Sequence, residues 1–207
     1  MKRGRLWTGL VATAAVAAGV VTWAALDRPD GTSDAESGTP ESRRIVKANS
    51  LLHAGLLQAK YQDYTGAAGT FRDVVELDPG NKLAWYNLGV IAQRDGRKTE
   101  ARAAYEKALK TDPKFTPALF NEAVLVESSE PDRAITLLKR AVAADPKAST
   151  AYLHLGQVLA KEDRDDEAGD AFRRAVAADP ALHPFVPEPF KDSASPSPTS
   201  SEAGANR

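Results

Sequence analysis

Residues 85–113 read WYNLGVIAQRDGRKTEARAAYEKALKTDP, and residues 152–180 repeat the arrangement as YLHLGQVLAKEDRDDEAGDAFRRAVAADP. In each, a large aromatic (Trp85, Tyr152) is followed after three residues by Leu-Gly (Leu88-Gly89, Leu155-Gly156). A polar turn then leads to an Ala-x-x-x-aromatic-x-x-Ala run, Ala101-Tyr105-Ala108 or Ala168-Phe172-Ala175. Spacings of three and four residues set these side chains on one face of a helix, so each stretch predicts two helices joined by a short turn. Asp-Pro closes the unit, because proline cannot continue a helix and pushes the residue before it out of the α region.

Such pairs recur at Asp78-Pro79, Asp112-Pro113, Asp145-Pro146 and Asp179-Pro180, with the prolines 34, 33 and 34 residues apart. Aligning on them brings two further units into register. The first contains Leu51, Ala54-Gly55, Ala67, Phe71, Val74 and Pro79. The third contains Leu119, Glu122-Ala123, Ala134, Leu138, Ala141 and Pro146, and is one residue short in its turn. Small residues at 55, 89, 123 and 156 let the paired helices approach closely, and the large ones fill the space between them. No single hairpin can bury its apolar face alone, so the units must stack.

This pattern resembles the tetratricopeptide repeat, a helix–turn–helix unit of 34 residues. The resemblance implies an all-α fold, a right-handed α-solenoid of about four repeats near 48–81, 82–115, 116–148 and 149–182, within a domain spanning 43–181. Glu122 stands where the family places a buried aliphatic residue. The resemblance further implies that the first helix of each repeat lines a concave groove holding a partner protein or peptide. Carried over residue by residue, the groove positions are Leu52, Tyr86, Phe120 and Leu153; His53, Asn87, Asn121 and His154; and Leu56, Val90, Val124 and Gln157. Two apolar rows flanking Asn87 and Asn121 suit an extended or helical peptide with spaced apolar side chains, whose backbone the amides can bond. A carboxylate clamp is disfavoured, since Leu52, Leu56 and Pro117 occupy positions where it needs polar groups.

Outside the repeats the composition shifts twice. Basic residues 1–5 precede an uncharged run over 6–26, LWTGLVATAAVAAGVVTWAAL, long enough to span roughly 30 Å as a helix. Trp7 and Trp23 lie near its ends, and the positive charge before it predicts a single-pass transmembrane anchor with a cytoplasmic N-terminus. The repeats then lie outside the cytoplasm at the cell membrane; cleavage as a signal peptide, with secretion, is the alternative. Residues 27–42, acidic and rich in Gly, Pro and Ser, read as a disordered linker. Residues 182–207 read as an irregular cap and disordered tail. There Pro184, Pro187 and Pro189 oppose a regular helix, while Phe185, Val186 and Phe190 fold back over the last hairpin.

The formal net charge of -1 gives no footprint for nucleic acid. No cysteine is present, and His53, His154 and His183 are not spaced as metal ligands, so no metal or cofactor is expected. Nucleotide-binding glycine patterns and catalytic motifs are absent, and the acidic run Glu162–Glu167 reads as a solvated turn. The sequence thus predicts a membrane-anchored, non-catalytic scaffold or adaptor. The alternative is a structural protein that associates weakly with itself through its anchor and C-terminal end.

Overall fold

A computed structural model describes residues 39–194, and among them every regular element is helical. Eight helices form four hairpins: α1 (Pro40–Lys60) with α2 (Tyr64–Leu77), α3 (Lys82–Arg94) with α4 (Lys98–Thr111), α5 (Thr116–Val126) with α6 (Pro131–Ala144), and α7 (Ser149–Lys161) with α8 (Asp165–Ala178). A 3-10 turn, Pro180–Phe185, and a short helix α9 (Glu188–Ala194) follow. Each helix packs on its hairpin partner, and α2, α4 and α6 pack on the next hairpin, so the units stack as a helical solenoid. The core is one apolar cluster across α1–α3 and a second running from α3 to α9.

The Asp-Pro pairs end α2, α4, α6 and α8 as the sequence predicts. Asp78, Asp112, Asp145 and Asp179 sit just past the helices with extended backbones, φ between -133° and -148°. Each backbone N–H still donates to the carbonyl four residues back, while each carboxylate accepts from the N–H two residues on, at 3.1, 3.0, 2.9 and 3.0 Å.

Within the hairpins the small residues do what their size implies. A Cβ on Gly55, Gly89 or Gly156 would lie 2.7, 2.5 or 2.6 Å from the ring of Phe71, Tyr105 or Phe172. The third hairpin, with Ala123, carries the narrower Leu138 opposite, and both are buried. Its short turn is also explained. The other three turns each place one residue in the left-handed region, Gln62 (φ 65°), Gly96 (φ 74°) and Asp163 (φ 56°). The third omits that residue and closes on the Val126 carbonyl, which accepts from Ser129 and Glu130.

Two boundaries differ from expectation. Helix α1 begins at Pro40, inside the stretch assigned to the linker, because Thr39 caps it by accepting from the Ser42 N–H and Pro40 fits the first helical position. At the other end α9 forms despite the prolines, since Pro189 falls in its first turn, where no intrahelical N–H bond is lost. Val186 is buried and Phe190 packs 5.1 Å from the Phe172 ring, as the fold-back predicts, but Phe185 stays 64% exposed. Among the described residues no helix is long and apolar enough to cross a membrane. The expected basic start 1–5, spanning segment 6–26, linker residues 27–38 and tail 195–207 lie outside them.

Candidate peptide-binding groove

The predicted groove residues all lie on the first helices of the hairpins, α1, α3, α5 and α7. Two contacts join their rows across neighbouring hairpins. The Asn121 amide donates to the Tyr86 hydroxyl at 3.2 Å, linking α5 to α3, and the Phe120 ring meets His154 of α7 edge-on at 5.3 Å. Tyr86 also packs against Phe115 at 5.4 Å and Tyr105 at 6.1 Å, and this burial pushes its phenol pKa up. Tyr86, Phe120, Asn121 and His154 therefore form one connected surface over three hairpins.

The remaining positions divide by exposure. Leu52 and Leu153 are buried, so scaffold packing takes most of their side chains. Val90, Val124 and Gln157 are half-buried, and Leu56 and His53 are exposed at the first hairpin. Asn87 has its amide N–H on the Leu83 carbonyl at 2.7 Å, within its own helix. The bond uses one of the two amide N–H groups.

Three neighbours escaped the sequence reading. Leu83 is an exposed apolar residue one turn before Asn87, and that spacing was the signal for it. Glu127 and Lys161 flank His154: the Glu127 carboxylate lies 3.4 Å from the His154 Nε2 and 3.5 Å from the Lys161 Nζ. The hydrogen bond with His154 holds the Glu127 carboxyl below the usual carboxylate range, against the upward push of partial burial and with help from Lys161. Among these positions the exposed aliphatic side chains, Leu56 and Leu83, lie on α1 and α3, and the charged contacts lie beside His154 of α7.

Glu122 lies apart from these positions, in the interior. It is 1% exposed, and its Oε1 accepts from Arg133 of α6 through Nε at 3.1 Å and Nη2 at 2.5 Å. Arg133 also bonds Glu106, which bonds Arg102, which bonds Glu130. This chain of charges ties α4 to the third hairpin where an aliphatic residue was expected. Two open depressions, about 660 and 520 Å³, share Pro146, Tyr152 and Arg174, and neither includes a groove residue.

The model of the tetratricopeptide repeat family matches residues 48–114 and 124–183, more than half of the chain, and the chain belongs to that family. Among proteins of assigned function it is similar to the probable UDP-N-acetylglucosamine–peptide N-acetylglucosaminyltransferase SPINDLY of Solanum lycopersicum, 43% identical over 49 residues. That match covers 24% of this chain and 5% of the relative. The peroxisomal targeting signal receptor of Kluyveromyces lactis is 33% identical over 73 residues, covering 35% of this chain and 13% of the receptor. The chain therefore spans only a small part of these relatives. Among solved structures, PilF of Pseudomonas aeruginosa superposes with a TM-score of 0.60 at 22% identity, over 68% of this chain and 66% of that one. At that identity the likeness is one of fold alone.

Proposed function

We propose that this protein is a non-catalytic interaction scaffold, held at the membrane by residues 6–26, whose groove grips an extended or helical segment of another protein. The observation that carries the reading is the surface joining Tyr86, Asn121, Phe120 and His154 across three hairpins. Beside it lie the partly open aliphatic side chains Leu56, Val90 and Val124. Apolar side chains of the partner seat on the aliphatic row, and its backbone meets the Asn87 and Asn121 amides. A protein similar over 73 of these residues is named a peroxisomal targeting signal receptor, a name that accords with recognition of a partner.

A photo-crosslinker at Val90 of the full chain, in native membranes, tests the groove. The expected result is a discrete adduct that is lost with Tyr86→Ala/Phe120→Ala, while circular dichroism stays unchanged. The same adduct in that double variant, or from a crosslinker at Asp166, rules the groove out. A second reading, self-association, rests on the exposed Phe185. It predicts concentration-dependent oligomers that Phe185→Ser abolishes.

A further inference from the structure

Seven large apolar side chains are exposed among the described residues, and five of them, Ile45, Val46, Leu56, Leu57 and Tyr61, belong to α1 or the residue that caps it. At about 100° per residue, Ala48, Leu52 and Gly55 mark the side of α1 turned to the core. Val46 (59% exposed), Leu57 (53%) and Tyr61 (73%) lie on the opposite side. In the other three hairpins the middle of that side is covered, while the positions matching Val46 and Tyr61 are exposed there too but carry small or polar residues (Gly80, Lys114, Lys147; Asp95, Ser129, Glu162). The counterparts of Leu57 are Ile91, Leu125 and Val158, which the preceding hairpin helps to bury or half-bury. The counterparts of Ser50 are the buried Ala84, Ala118 and Ala151. The two ends of the array differ in this respect, because Val186 and Phe190 cover the last hairpin.

The uncovered face is also basic. Arg43, Lys47 and Lys60 are exposed around the apolar stripe, whereas Glu41, the single acidic residue of α1, falls on the core side of the helix. An apolar stripe with a tyrosine at one end and cations along its borders is the profile of a helix that lies in the interface of an anionic bilayer. A second copy of α1 fits less well, since it would bring these cations against themselves. Thirteen residues separate Leu26 from Pro40, a reach of at most about 45 Å. The 21-residue helix is itself only about 30 Å long, so its whole outer face lies within range of a bilayer holding residues 6–26.

We infer that α1 docks its outer face, Val46, Leu57 and Tyr61 ringed by Arg43, Lys47 and Lys60, onto an anionic lipid surface, an inference that rests on the anchor proposed above.

The chain has no cysteine, so one introduced thiol is the sole labelling site. Full-length protein carrying an environment-sensitive fluorophore at Leu57→Cys, or at Asp166→Cys as control, is reconstituted into phosphatidylcholine vesicles with and without phosphatidylglycerol, all with brominated acyl chains. The expected result is a blue-shifted, bromine-quenched label at 57 in the anionic vesicles only, with the label at 166 unchanged. Adding Arg43→Gln, Lys47→Gln and Lys60→Gln lowers the docked-to-free ratio roughly a hundred-fold. A label at 57 as water-exposed as that at 166 overturns the inference. So does a blue shift that grows with protein concentration in lipid-free detergent, which would place a second copy on this face. Alkaline carbonate washing reads the anchor separately. Release of a chain whose label was quenched before the wash overturns the anchor alone, and release of an unquenched one overturns both.

Discussion

Asp78, Asp112, Asp145 and Asp179 show why a proline is paired with that residue at each joint. Proline holds the preceding backbone extended, and aspartate is short enough to bond the N–H two residues on. Between paired helices, at Gly55, Gly89 and Gly156, glycine acts by size, whereas Gly96 supplies a left-handed turn residue. Gly89→Ala drives a methyl into the Tyr105 ring and is expected to cost about 1–3 kcal/mol in urea unfolding. Gly69→Ala, in the interior of α2 with open space at its Cβ, is expected to stabilise by about 0.5–1 kcal/mol in the same measurement. These positions were legible because the motif is local and repeats. Glu122 was legible only as an oddity. A carboxylate in a buried row demands a cation, but which one depends on how α5 meets α6, and that geometry selects Arg133. Arg133→Leu strands the carboxylate and should cost about 2–3 kcal/mol, less than a fully buried pair because the guanidinium retains contact with water. Combined with Glu122→Leu it should return to within about 1 kcal/mol of the parent, as a double-mutant cycle would show.

The helices themselves followed from periodicity, whereas their ends depended on chemistry that composition conceals. Thr39-Pro40-Glu41 looks like linker by residue type and acts as a helix start by position. The prolines after Phe185 look like helix breakers, yet one sits where a helix accepts it. Contacts between elements were beyond a linear reading altogether, and the Glu127–His154–Lys161 cluster joining the end of α5 to α7 is the clearest case. It predicts a pH effect of definite sign. The folded-state pKa of Glu127 is lowered, so the stability it contributes is full above the usual carboxylate value near 4.5 and is lost as pH falls through the folded value. Thermal melts between pH 7 and 3 should show His154→Gln losing less stability than the parent over the acid limb. Equal acid sensitivity would remove this cluster from the account.

Across the whole molecule the number and stacking of hairpins could be read from the four Asp-Pro pairs, but the condition of the two ends could not. Stability in a stacked array is a sum of units and their interfaces, so damage at one end stays near that end. Phe190→Ala, which removes the ring packed on Phe172, should lower stability by about 1–3 kcal/mol. Hydrogen exchange should quicken in α7 and α8 before α3 and α4, and uniform acceleration would mean that the hairpins unfold as one body.

The repeated joint has a consequence for how such a chain can change in length. Each hairpin leaves through the same extended aspartate and enters the next without a specialised connector, so a duplicated stretch from Gly80 to Pro113 would meet compatible seams on both sides. The closing segment is not interchangeable in this way, because Val186 and Phe190 are fitted to the surface of α8. Lengthening by gene duplication is therefore permitted inside the array and penalised after it, and a lengthened descendant would be recognisable by an added 33- or 34-residue period upstream of an unaltered terminal segment.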